Sequence, residues 1–293
     1  LIWELYEMSW QVFLALIAIQ WASLALIMAG GWAAWRATRN SGWIDVTWTF
    51  AVGIAGAISA ILPLGPASDG FNHLIVAAMI AAWALRLGLY IASRTAGITD
   101  DPRYAKIIED WGDQAERNMF WFLQVQAFFG VFFVLAVALT AANSAPFLSA
   151  GPLLGLIVFL LGIAGSATAD RQLASFKEAK VAGRTDKRVC DVGLWAYSRH
   201  PNYFFEVVIW AAFAIFALDF SGAWNWGLIA LLAPLCMYWL LRYVSGVPPL
   251  EEHMVARYGD DYRAYQKRVS VFVPWPPTDQ SSRIGAPLPN SEG

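Results

Sequence analysis

Seven apolar runs, at roughly 10–35, 42–64, 71–92, 119–142, 151–169, 201–220 and 223–245, constrain this chain more than anything else in it. Each comes close to the ~20 residues an α-helix needs to cross a bilayer. Hydrocarbon holds no water to satisfy backbone N–H and C=O groups, so a spanning segment must be helical or part of a closed barrel. Unbroken apolarity, without period-two alternation, selects helices. Composition agrees: 58% of the 293 residues are hydrophobic and 14% charged, against roughly 25% charged in a soluble domain. The expected fold class is all-α: a polytopic membrane protein built as a seven-transmembrane-helix bundle.

Positive charge sets the expected orientation. The 20 Lys and Arg residues avoid the loops after runs two, four and six and the segment before run one. The loop after run one has Arg36 and Arg39, and the loop after run three has Arg94, Arg103, Lys106 and Arg117. Seven lie between Arg171 and Arg199, and five between Arg257 and Arg283. Arg86 and Arg242 stand near the same-side ends of their runs. Basic loops stay in the cytoplasm, which puts the N-terminus outside and the C-terminus inside. A net charge of −2 says little about partners, and nothing points to nucleic acid.

The first run lacks a basic leader and a small-residue cleavage site, so it reads as a retained span. Cys190 and Cys236 lie in different environments and give no disulfide framework. His73, His200 and His253 are scattered, without metal-ligand spacing, so no metal is expected. Residues 1–277 read as one membrane domain, with 246–277 an amphipathic cytoplasmic lid and 278–293 a disordered Pro/Ser/Gly-rich tail.

Three polar regions fall on the cytoplasmic side. In the first, the segment from Asp170 turns an apolar helix into a charged one, with Asp170 and Lys177 seven residues apart on one face. The second is GLWAYSRHPNYFFEVVIW, residues 193–210, where Pro201 suits the first position of a helix. Arg199 and His200 precede that N-terminus, a natural anion site. Asn202, Glu206 and Trp210 follow one turn apart, and an acidic side chain there costs about 2.5–3.5 kcal/mol on insertion scales unless paired or hydrated. The third is VPPLEEHMVARYGDDYRAYQKR, where Pro248 and Pro249 open a helix and Met254, Tyr258, Tyr262 and Tyr265 or Gln266 form a stripe. Its polar side carries Arg257, Arg263, Lys267 and Arg268.

The combination ADRQ, GLW-Y-SRHPNYF-E and EE…RYGDDYRAYQKR…VPW resembles the membrane steroid 5α-reductase family, especially its bacterial members. More distantly it resembles the sterol C14- and C7-reductases. The resemblance implies NADPH held between helices and cytoplasmic loops without a Rossmann unit, and no strand–GxGxxG–helix unit is present. It assigns Asp170 and Lys177 to the adenosine part of the cofactor, and Arg188 and Arg199 to its phosphates, with His200 beside them. Asn202 and Glu206 would hold the nicotinamide carboxamide, and Glu251, His253 and Tyr262 would close over the nucleotide. Val247 stands where the family often has a basic residue.

Reduction of an enone adds hydride to the β-carbon and moves charge onto the carbonyl oxygen, where a proton donor is needed. Asp45, Trp48 and Thr49 share one face of run two, and Trp83, Arg86 and Tyr90 one face of run three. Asp45 lies about where the steroid reductases have a Glu that acts with a Tyr on the 3-oxo group, although Ile44 replaces the neighbouring Gln. Trp83 falls near the place of that Tyr, and Tyr90 two turns on. The expected catalytic set is Asp45, Arg86 and Tyr90, with Trp48, Thr49 and Trp83 on the substrate. The competing structural reading is an Asp45–Arg86 ion pair joining two helices. The expected substrate is an apolar steroid or sterol-like lipid entering from the bilayer, best a 3-oxo-Δ4-steroid. The rival activity is an S-adenosylmethionine-dependent methyltransferase of the isoprenylcysteine carboxyl type, whose RHP-M-Y-type element would put an apolar residue at Asn202. The expected location is multi-pass in a membrane, a bacterial inner membrane in preference to an endoplasmic reticulum.

Overall fold

A computed structural model of the protein describes residues 10–62, 70–97, 100–220 and 225–278. The segment before the first run, positions 63–64 of the second and positions 223–224 of the seventh lie outside these residues. So does the tail expected to be disordered, apart from Thr278, whose N–H reaches the carbonyl of Arg268 at 2.9 Å.

Among the described residues the regular structure is helical, with no strand beyond one isolated bridge between Ser198 and Ser270. The helices are α1 (Trp10–Thr38), α2 (Gly42–Ile61), α3 (Gly70–Ala96), α4 (Pro102–Trp111), α5 (Ala115–Ala141) and α6 (Ala150–Val181). They continue with α7 (Pro201–Ala217), α8 (Leu232–Trp239), α9 (Val247–Tyr258) and α10 (Asp260–Arg268). A 3₁₀ segment at Asn225–Leu231 leads into α8 and a π-helical turn at Leu240–Val244 follows it. Six stretches are long and apolar enough to cross a membrane: Phe13–Thr38, Gly42–Ile61, Phe71–Ala96, Tyr104–Ala141, Ala150–Val181 and Asn225–Tyr258. They make the protein an integral, multi-pass membrane protein, with side chains such as Leu26, Leu74 and Leu161 exposed as a lipid-facing surface requires. The sixth apolar run forms α7, which is apolar but has 17 residues. α4 is an addition to the expected helices, formed within the charged loop after run three.

The chain divides into two compact units, Leu1–Ile163 with Glu206–Leu240, and Ala164–Phe205 with Leu241–Gly293. In the first unit α5 is central, and its Phe133–Leu139 segment is buried on every side. Glycines set two close helix crossings. A Cβ on Gly53 would meet Ala84, and one on Gly56 would meet Ile80, so these glycines let α2 and α3 approach closely. Gly151 and Gly155 likewise receive the backbone of Leu218 and Phe216. At one end of this unit Asn143 Nδ2 donates to the carbonyl of Phe216 (2.8 Å) and Asn72 Nδ2 to that of Ala145 (2.8 Å). The first amide satisfies a carbonyl at the end of α7 and the second one in the loop after α5, groups that would otherwise lack a partner.

In the second unit α6 runs on past its apolar part, as the Asp170 segment predicts. Gly183, at φ +64°, turns the chain back after α6. Trp195 Nε1 donates to the carbonyl of Ala169 (2.9 Å), fixing the returning loop on α6. The tail helix starts at Val247, close to the expected proline signal, but Gly259 at φ +56° splits it into α9 and α10. The expected stripe is real: Met254, Val255 and Tyr258 pack with Tyr262, Tyr265, Val269 and Val189.

Candidate functional site

The polar side chains of the first unit gather around an aromatic box. Asp45 lies in the first turn of α2, where Thr49 Oγ1 donates to its backbone carbonyl at 2.8 Å. Its carboxylate Oδ1 accepts the hydroxyl of Tyr104 at 2.7 Å. Tyr104 is buried because α4 packs inward. Buried Asp101 precedes Pro102, its carbonyl accepts the N–H groups of Tyr104 and Ala105 at 3.0 Å, and Arg94 pairs with its carboxylate at 3.3 Å. Gln126 of α5 donates Nε2 to the Tyr104 oxygen at 3.2 Å, and its own backbone carbonyl accepts Trp48 Nε1 at 3.2 Å.

Across the box, Glu206 of α7 holds two partners from α3. Arg86 Nη1 donates to Oε1 at 2.6 Å and Trp83 Nε1 to Oε2 at 2.9 Å. The side chains of Arg86 and Glu206 are 15% and 8% exposed, which makes this a buried ion pair. Trp83 meets Trp210 edge-on at 4.9 Å and Trp48 at 6.4 Å, and Phe133 closes the box at 4.6 Å from Trp210. Two polar atoms here are buried without a partner among the described residues, Trp210 Nε1 and Gln126 Oε1. Each is a group that a polar ligand atom or an ordered water would satisfy.

The expected set Asp45, Trp48, Thr49, Trp83 and Arg86 is therefore brought together, and Tyr90 lies half-buried one turn beyond Arg86 on α3. Two pairings are additions to the expected ones. Asp45 meets Tyr104, and Arg86 meets Glu206. Tyr104 and Gln126 were missed. The signal for Tyr104 was present, because Tyr104, Ile107, Ile108 and Trp111 form a helical stripe after a proline at the first helical position.

The second unit has its own constellation, centred on Glu251. Its carboxylate accepts Arg199 through Nε at 2.6 Å and Nη2 at 3.1 Å, a bidentate fork. It also accepts His200 Nε2 at 3.0 Å, Gln266 Nε2 at 2.8 Å and the Tyr262 hydroxyl at 3.4 Å. Arg199 Nη1 further donates to the carbonyls of Gln266 (2.9 Å) and Val269 (2.8 Å). The knot joins the N-terminal turn of α7 to α9 and α10. Burial holds the His200 imidazole below its ordinary value despite Glu251. With Nε2–H donated, Nδ1 is a buried acceptor without a partner. Burial, reinforced by Glu251, raises the Tyr262 phenol.

The other expected cofactor residues spread around this knot. Asn202 Nδ2 donates to Asp170 Oδ1 at 3.3 Å, so the ADRQ and RHPNY motifs do meet. Asn202 and Glu206 are neighbours on α7 but go to different partners. Arg188 pairs with Asp261 at 2.9 Å on the surface, and Lys177 is exposed on α6. His253 is half-buried on α9 with no hydrogen bond to the knot among the described residues. Cys190 is buried, which pushes its thiol up to about 11, and the described residues hold no metal-ligand cluster.

No solved structure matches the chain. An uncharacterized protein of Schizosaccharomyces pombe is 29% identical over 154 residues, which cover 47% of this chain and 43% of that protein. The chain thus aligns with less than half the length of that relative. A family described as a protein of unknown function, DUF1295, matches residues 31–269, from the end of α1 to just past α10, and so takes in both constellations. The chain belongs to the DUF1295 family.

Proposed function

We propose that the protein reduces the C=C bond of a membrane-dissolved enone lipid with NADPH, a 3-oxo-Δ4-steroid being the best substrate. The observation that carries this reading is the Asp45–Tyr104 pair, a phenol donating to a carboxyl at 2.7 Å among apolar helices. Hydride addition to an enone leaves negative charge on the carbonyl oxygen, and a positioned acid lowers that barrier. Gln126 holds the Tyr104 oxygen, and Trp48 is fixed through the Gln126 carbonyl, so the acid has a defined direction. The likeness of the ADRQ, RHPNY and tail motifs to the steroid 5α-reductases supports the same chemistry.

The second unit's residues fit a polyanionic dinucleotide. His200 Nδ1 is a spare acceptor for an amide or hydroxyl, and Asn202 has both an amide donor and a carbonyl. Arg188 is an exposed cation whose surface pairing with Asp261 is cheap to exchange. Arg199 reaches a phosphate only by giving up Glu251, so in this reading it mainly orders the turn that carries Asn202. NADPH, when bound, supplies the hydride. α7 would serve as a seventh span, at the lower limit of ~17–25 residues, with the N-terminus outside and the C-terminus cytoplasmic.

The test uses protein purified in detergent. The expected result is binding of NADPH, seen in its near-ultraviolet band, and loss of that band with a substrate mass gain of two hydrogens when an enone lipid is added. Failure to bind any reduced pyridine nucleotide, with uptake of S-adenosylmethionine instead, overturns the reading in favour of methyl transfer.

A further inference from the structure

α6 is longer than a membrane is thick, and its surplus turns carry a groove. The helix has 32 residues. At about 1.5 Å per residue, roughly 20 of them cross the ~30 Å of hydrocarbon. Counted from Ala150, where the apolar run begins, the turns around Arg171 and Ser175 stand at headgroup depth. Ile157, Leu161, Ala164, Thr168, Arg171 and Ser175 share one face of the helix, and none of them is buried. Arg171 and Ser175 open onto a groove of about 570 Å³ within the second unit, lined also by Thr168, Gln172, Lys187 and Val192. Asp170 and Lys177 lie on the opposite face of α6, so this groove is separate from the Asn202–Asp170 contact.

The groove is built before any ligand arrives. Its far wall is the returning loop, and Gln172 fixes that wall, because its Oε1 accepts the N–H of Leu194 at 2.9 Å. Gly193, at φ +57°, lies so close to the Gln172 amide that a Cβ there would collide with it. The lining keeps a surplus of positive charge. Among the described residues Arg171 pairs with no carboxylate, and its Nη2 reaches Thr168 Oγ1 at 3.5 Å. Lys187 Nζ pairs with Asp191 at 2.7 Å, but Arg268 shares that carboxylate at 3.3 Å. Glu178 and Asp186 are exposed and stand outside the lining. A guanidinium fork flanked by hydroxyls and an ammonium suits a phosphodiester. Charge alone would also admit a soluble phosphate. The depth of the groove, and the exposed apolar face of α6 that leads to it, select a lipid.

We propose that this groove binds an anionic glycerophospholipid, with the phosphate on Arg171 and Lys187, the headgroup hydroxyls on Thr168 and Ser175, and the acyl chains running back along α6. A lipid seated there touches both the helix and the loop that leads to α7, and so ties one to the other. The inference goes beyond the reductase reading and does not depend on it.

The full chain in detergent is offered equal amounts of dioleoyl phosphatidylglycerol and dioleoyl phosphatidylcholine, and the retained lipid is counted by native mass spectrometry. The wild type is expected to prefer phosphatidylglycerol, and Arg171→Ala and Lys187→Ala each to cut that preference about fivefold. Arg171→Lys should keep part of it. Arg184→Ala, which removes an exposed charge outside the lining, should leave it intact. Ser175→Glu puts a carboxylate into the groove without removing a cation and should abolish the preference, which keeps the test decisive where an alanine variant fails to fold. Equal retention of the two lipids by the wild type overturns the proposal. So does an undiminished preference in Arg171→Ala, or an equal loss in Arg184→Ala, the mark of a diffuse basic surface. Competition by glycerol 3-phosphate as strong as by the diacyl lipid would make this a soluble-phosphate site, and displacement of the lipid by NADPH would give the groove to the nucleotide; either result overturns it too.

Discussion

Glu206 answers an arginine and a tryptophan at once, so its removal has two separable costs. Glu206→Ala removes a carboxylate that pairs with Arg86 at 2.6 Å among the helices, and removing one member of a buried pair costs about 3–5 kcal/mol. We expect the thermal midpoint in detergent to fall accordingly, and the double variant Glu206→Leu with Arg86→Met to recover most of it. A double variant as unstable as the single one would mean that the pair does not act as a unit. Tyr104 bears on the chemistry instead. Tyr104→Phe keeps the packing of α4 but removes the hydroxyl that donates to Asp45, and enone reduction should drop by about 10²–10⁴-fold with NADPH affinity unchanged. Wild-type turnover in that variant would take Tyr104 and Asp45 out of the mechanism. The sequence named most members of this group because charged and polar residues are rare in apolar runs and each stands out. It did not yield the pairings, since Arg86 and Glu206 are 120 positions apart and only the fold decides which face meets which.

Helical elements were legible wherever apolarity was continuous and less so where it was not. α2, α3 and the apolar part of α6 follow directly from run length. α4 escaped because ten residues with charges on one face read as loop, although its stripe of Tyr104, Ile107, Ile108 and Trp111 marks it in hindsight. Glycines inside the runs carry no helical or strand signal of their own, and their work is packing, at Gly53 and Gly155 above all. The N-terminal turn of α7 makes a pH prediction. The folded protein keeps His200 neutral and holds it below the ordinary value near 6.5, so the unfolded chain binds the extra proton first. The stabilisation is complete above about pH 6.5 and is lost as pH falls toward the folded value. Midpoint unfolding temperatures measured from pH 8 to 5 should decline below about 6.5 in the wild type and less so in His200→Gln, which keeps a donor for Glu251. Identical profiles would assign the acid sensitivity to other groups.

The whole molecule raises the question of how many times it crosses the membrane. Six helical stretches qualify by length and composition, and α7 is the one short of full length. An odd number of spans puts the termini on opposite sides, and an even number puts them on the same side. Reporter domains active only in the cytoplasm or only outside it, fused at each end, should therefore report the N-terminus outside and the C-terminus inside if α7 crosses. Matching signals from both ends would leave α7 as a helix that does not traverse. Charge distribution is what predicts this orientation, because Lys and Arg gather in alternate loops. The division into two compact units was not readable, since it falls within continuous helices and no linker composition marks it.

One corner at Gly259 has a reach beyond its size. Its backbone, φ +56° and ψ −125°, lies in territory open almost only to glycine, and it turns α10 so that Tyr262 and Gln266 come back to the carboxylate of Glu251 on α9. A single methyl group added there would ask the hinge to straighten and would pull two of the five donors off that carboxylate without touching any of them. The grip on the start of α7 is thus fastened by an atom the chain leaves out.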